Sequence, residues 1–454
     1  MKNLLYLCVG IFLSFLQKDA EASEERKPNI ILITAHDLGQ HLDCYGVSSI
    51  RSPNIDKLAK KGIRFQNFYS TSAVCTPGRG SLLTGRYPQS NGLMGLTHAP
   101  WWWSFNEDEV HMAEWLKRNG YDTYLVGLQH VTQGSIKELG YQEHLSPNRK
   151  AEETVAASIE LIENRKGQEK PFFAKIGFTE VHRSFDEGKD TRKGVFVPPY
   201  LENTEKMKSD LSEFQGTINY LDNMVGIFLD VFYDSEIVEN TLIVFTSEHG
   251  IPYPGAKWCI RKAGIEIPLI MYRPNTVFEG GRVVNEVMSN VDVLPTILDH
   301  ANIDIPDRIE GVSFYGFLMG NTNKAPRKAA FSQYMPDMKR DNLSRSIITK
   351  QYHLIRYFSQ GIAVDYPVNV DLVEFAAHRE RTATKGTRPF YQLYDIKEDP
   401  YELNDIGSDP KMKAKAEKLS GKLLNWMKKV NDPILEGPFR SPYYDRAIED
   451  LTKE

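Results

Sequence analysis

Five short, nearly continuous apolar runs punctuate the chain, at residues 28–34, 121–126, 171–178, 241–246 and 267–272. A run of this length without polar alternation marks a strand buried on both faces, as in a parallel sheet covered by helices. Helical patterning lies between and after them. Residues 54–62 close on a glycine, 109–119 are amphipathic ahead of Gly120, and 411–430 keep helical periodicity up to Pro433. A turn-rich stretch covers 319–342. Residues 346–358 read as strand–turn–strand, and 392–395 as a further short strand. The pattern predicts an α/β fold. A large, mainly parallel central sheet flanked by helices fills residues 23–340, and a small antiparallel sheet with a helix fills 341–454.

Four of the apolar runs end within a few residues of a histidine: His36, His130, His182 and His249. Open α/β sheets carry their sites at the carboxyl ends of strands. Four histidines at equivalent strand ends should therefore converge at one edge, together with Asp37 and Glu248. The segment Cys75-Thr76-Pro77-Gly78-Arg79 fits the start of a helix. Pro77 suits a first turn, where its missing N–H costs nothing, and Thr76 is an acceptable N-cap. The free amides and dipole of that helix start favour an anion, and Arg79 can fork onto one.

Composition narrows the possibilities. The chain has 454 residues, 41% of them hydrophobic, and a net charge of −5. It has no global basic footprint for nucleic acid, so an anionic substrate needs a local pocket. Lys2, an apolar run over 4–16 and Ala20-Glu21-Ala22 read as a signal peptide over residues 1–22. That run is short for a membrane span, and no later one suffices. The expectation is an exported protein, periplasmic or secreted, without an integral membrane segment. Removal of Cys8 leaves Cys44, Cys75 and Cys259, which do not make a disulfide framework. Cys44 and Cys259 either pair or stay as buried thiols.

The stretch C-x-P-x-R at Cys75–Arg79, followed by Thr84-Gly85-Arg86, resembles the signature of type I sulfatases, which have an alkaline-phosphatase-like fold. The resemblance implies that a maturase oxidises Cys75 to Cα-formylglycine (3-oxoalanine), whose hydrate attacks sulfur. It implies a Ca²⁺ site of His36, Asp37, Glu248 and His249 beside Cys75. His36 and Glu248 depart from the family's acids, which admits another divalent metal. Arg79 and Lys257 would bind sulfate, His182 would protonate the leaving group and His130 would deprotonate the second hydroxyl. A family lysine two residues before the histidine is absent from Gly127-Leu128-Gln129-His130.

Within the family, residues 91–96, 181–183 and 245–254 resemble heparan N-sulfatases (N-sulfoglucosamine sulfohydrolases). This implies exo-acting hydrolysis of a sulfated oligosaccharide in glycosaminoglycan degradation. His98 and Arg183 are the substrate-binding candidates. Trp101, Trp102 and Trp103 either line a sugar site or form a buried cluster. The resemblance also admits a homodimer and, in a eukaryote, a lysosome-like compartment. The alternatives are a glycan O-sulfatase or arylsulfatase, a phosphonate or phosphodiester hydrolase of the same superfamily, and a non-enzymatic glycan-binding protein.

Overall fold

The computed structural model describes residues 26–335, 343–359, 362–364, 384–437 and 441–452. The expected signal peptide lies outside them. Strands β1 (Asn29–Thr34), β2 (Ile63–Tyr69), β3 (Asp122–Gly127), β4 (Glu143–His144), β5 (Phe172–Gly177), β6 (Thr241–Thr246), β7 (Leu269–Tyr272) and β8 (Val283–Ser289) form one sheet. Its order is β4-β3-β5-β1-β6-β7-β2-β8. The strands from β4 to β6 are parallel, and β7 runs against both β6 and β2.

The apolar runs are buried on both faces, as their lack of alternation requires. Ile31 and Ile33 join one core, with the helices Ala151–Arg165 and Glu205–Tyr233. Ile30 and Leu32 join the other, with Cys75–Thr84, Met112–Arg118 and Val293–His300. Register aligns the strand ends. Thr34 stands between Gly177 and Thr246, and Gly177 faces Gly127. The residues that follow β1, β3, β5 and β6 therefore emerge at one edge.

A second sheet, in order β14-β11-β10-β9, comprises β9 (Ala330–Tyr334), β10 (Ser344–Ile348), β11 (Tyr352–Tyr357) and β14 (Tyr391–Asp395). A two-stranded ribbon, β12 (Ile362–Val364) and β13 (Thr384–Thr387), lies between β11 and β14 in sequence. The helix Lys413–Lys429 covers the second sheet through Leu419, Leu423 and Trp426. Strand β9 falls inside the stretch expected to be turns. Its polar residues are buried because they have partners. Ser332 Oγ donates to Ser70 O at 2.6 Å, and Gln333 Nε2 donates to Met94 O at 3.1 Å. The small sheet is thereby bonded to the loop that leads into Cys75.

Candidate active site

The helix Cys75–Thr84 begins where expected, but Val74 caps it and Thr76 does not. Thr76 Oγ1 instead donates to His130 O at 3.1 Å, which ties the helix start to the turn after β3. A Cβ on Gly78 would stand 2.6 Å from Glu248 O, so only glycine lets this helix lie against the end of β6. The loops at the sheet edge are stitched together. His36 N donates to Glu180 O at 2.8 Å, Val181 N to His36 O at 2.7 Å, and Gly39 N to His249 O at 3.1 Å.

The four histidines converge. The His36 ring lies 4.7 Å from His182, 5.8 Å from His130 and 6.3 Å from His249, measured between centroids. His36 Nδ1 is 2.8 Å from Asp37 Oδ1 and 3.0 Å from Glu248 Oε1. His249 Nε2 is 3.1 Å from Asp37 Oδ1 and 3.2 Å from Cys75 Sγ. Ligand atoms of His36, Asp37, Cys75 and Glu248 all lie within 4.8 Å of one another, as do those of His36, Cys75 and His130. Asp37 and His130 hold left-handed backbone, with φ of 54° and 57°. A non-glycine residue pays about 1–3 kcal/mol for such a conformation, and it persists only where the surroundings impose it.

Two cations face the two carboxylates. Lys257 Nζ donates to Asp37 Oδ2 at 2.6 Å, and Arg79 Nη2 donates to Glu248 Oε2 at 3.1 Å. Arg79 also bonds Thr34 Oγ1 at 3.2 Å and Ala35 O at 3.3 Å, and it is 1% exposed. Its guanidinium thus braces Glu248 beside Cys75. Burial opposes ionisation of both acids, yet Lys257 holds Asp37 well below the usual carboxylate range, and Arg79 does the same for Glu248. Burial likewise opposes a Cys75 thiolate, but Lys257, His36 and His249 outweigh it and push the thiol well down. His249 is raised to about 9 against burial, by Cys75 and Asp37. Burial lowers His130 and His182.

His182, with its side chain 42% exposed, stands at the mouth, Nε2 3.9 Å from Asp37 Oδ2. His98 stacks on His130 at 5.7 Å and meets Trp101 edge-on at 4.9 Å. Arg183 is occupied by Asp210, through bonds of 2.7 and 2.8 Å, and lies over Phe185 and Tyr253. Trp103 packs on Gly95 in the core, while the Arg446 guanidinium covers Trp102. Trp101 is thus beside His98. No disulfide joins Cys44 and Cys259. Gln129, a conceivable stand-in for the absent lysine, is spent on its own turn: Oε1 accepts from Val131 N at 2.6 Å and Nε2 donates to Thr132 O at 2.7 Å. Asp210 and the buried Lys175 carry no sequence motif, and reasoning from motifs passes over both.

A cysteine at a buried helix start, cations behind two acids and histidines on either side define a hydrolase of oxyanion esters. The profile of the Sulfatase family matches residues 28–303. That of "N-sulphoglucosamine sulphohydrolase, C-terminal" matches 253–375. The chain belongs to the sulfatase family, whose members hydrolyse sulfate esters and sulfamates. It is 27% identical to an ulvan-active sulfatase of Formosa agariphila over 94% of this chain and 85% of that protein. It is 25% identical to human N-sulphoglucosamine sulphohydrolase over 91% and 92%. A solved structure in complex with D-glucosamine-2-N,6-O-disulfate superposes with a TM-score of 0.70 at 20% identity, over 89% of this chain and 98% of that one.

Proposed function

We propose that this sulfatase removes sulfate from the terminal sugar of a glycosaminoglycan-type oligosaccharide, with N-sulfated glucosamine as the preferred unit. The observation that carries the site reading is the buried Cys75 thiol at a helix start, 3.2 Å from His249 Nε2. The match of residues 253–375 to the N-sulphoglucosamine sulphohydrolase C-terminal profile supports the substrate.

Cys75, oxidised by a maturase, would supply a geminal diol as nucleophile. Residues His36, Asp37, Glu248 and His249 fit a divalent cation: two carboxylate and two imidazole donors meet in one buried cluster beside Cys75. Calcium is the ion the family resemblance favours, and the two imidazoles also suit a transition ion. When bound, such an ion polarises a sulfate oxygen.

The chain's own residues do the rest. Lys257 and Arg79 fix the carboxylates and keep them ionised. His130, neutral and facing Cys75, is placed to take a proton from the nucleophile. His182, exposed at the mouth, is placed to hand a proton to the leaving oxygen or nitrogen. His98 and Trp101 offer faces for a pyranose ring, and Arg183 with Asp210 shapes the rim.

The substrate test is sulfate release from a panel of mono- and disaccharides. N-sulfated glucosamine should exceed 6-O-sulfated N-acetylglucosamine, and the reverse order refutes the preference. The second reading is an O-sulfatase of an algal polysaccharide, favoured by the ulvan-active relative that spans 94% of the chain. Export by the signal peptide and a C-terminal subdomain over 341–454 belong to this proposal. Among the described residues no helix is long and apolar enough to cross a membrane.

A further inference from the structure

Strand β5 carries a lysine where the sheet asks for an apolar residue. Lys175 stands between Leu32 on β1 and Leu125 on β3, both fully buried, and is itself 0% exposed. Among the described residues it has no carboxylate within ion-pair distance. Desolvating an amine without a counter-ion is unfavourable, and the same stem in methionine would pack there without that cost. Burial, with Arg79 next in size, pushes the ammonium well down, and Glu248 only partly offsets them. The core does not need this amine, whose nitrogen ends on the turn after β3.

Lys175 Nζ donates to Leu128 O. Leu128 N in turn donates to Gly177 O at 2.8 Å, so the turn after β3 is clamped to β5 from both sides of one residue. The niche is shaped for the amine. A Cβ on Gly177 would stand 2.7 Å from Nζ and 2.1 Å from Leu128 O. Two residues beyond Leu128, His130 holds left-handed backbone and takes the bond from Thr76 on the nucleophile helix. Without a fixed Leu128 carbonyl, that turn would relax away from the conformation that presents His130 to Cys75.

We propose that Lys175 is a positioning residue of the sulfatase reaction: its buried amine, seated on the Leu128 carbonyl, fixes the turn that aims His130 at the Cys75 nucleophile. This rests on the assignment of Cys75 and His130 to the reaction. Lys175 touches no substrate, so its removal should slow turnover and leave substrate binding nearly intact.

The test is steady-state hydrolysis of 4-nitrophenyl sulfate by the wild type, Cys75→Ala, Lys175→Met and Lys175→Gln, with the Cys75 oxidation state of each preparation measured. Lys175→Met should lower kcat about tenfold or more with KM within about threefold, because small displacements of a catalytic group are costly. It should melt at or above the wild-type temperature. Lys175→Gln, which keeps an N–H at shorter reach, should fall between the two. A kcat for Lys175→Met within about twofold of wild type overturns the proposal. So does a loss that merely tracks loss of folded protein, or failure of both variants to fold. Activity surviving in Cys75→Ala would instead overturn the assignment of the site.

Discussion

His111 caps the helix Met112–Arg118 by accepting from Ala113 N at 3.0 Å, a bond that requires a neutral Nδ1. Burial, with Lys175 adding, lowers this histidine to about 3. Unfolded, it takes a proton near 6.5. Between those values the unfolded chain binds the extra proton, so stability falls as pH drops through that window. His111→Asn keeps a capping acceptor and removes the titration. Melting curves at stepped pH should show a shallower acid loss, by up to about 1.4 kcal/mol per pH unit. An unchanged slope would mean that the imidazole escapes protonation by other means. Lys257 gives a second test at this scale. Lys257→Ala leaves Asp37 buried without its cation, which raises that carboxyl and weakens both proton transfer and metal holding. A fall in kcat/KM of about a hundredfold is expected in steady-state assays.

The apolar runs made the central strands legible because nothing interrupts them. β6 spans Thr241–Thr246 as expected, and β1, β3 and β5 shift by a residue or so at their ends. β2 was not legible. Arg64, Gln66 and Asn67 break its apolar pattern, and it is bonded between β7 and β8, one strand in from the edge of the sheet. β9 was hidden because its buried polar residues are satisfied by a distant loop. The helix that starts at Cys75 was legible from Pro77, but its dependence on Gly78 was not. Gly78→Ala pushes this helix off Glu248 O, and turnover should drop about a hundredfold while circular dichroism stays native. In the small sheet, Arg345 is fully buried and pairs with Asp432 through bonds of 2.6 and 2.9 Å. Asp432→Ala should cost about 3–5 kcal/mol in urea unfolding, because a buried charge is left without its partner.

At the scale of the molecule, sheet register does most of the assembly. It brings the ends of β1, β3, β5 and β6 to one edge, and the Cys75 helix closes the cluster from one side. The strand-end histidines made that convergence readable in the sequence. The roles of the cations were less readable. Arg79 is bonded to Glu248, and Arg183 to Asp210, partners distant in sequence that no motif announces. Exhaustive chelation should abolish sulfate release, and a single divalent ion should restore it. Full activity after chelation would contradict the metal reading. The central claim is that Cys75 is the precursor of the nucleophile. It is tested most directly by the mass of the Cys75 peptide in active protein from its native host. The account predicts the aldehyde form, and a peptide carrying only an intact thiol would contradict it.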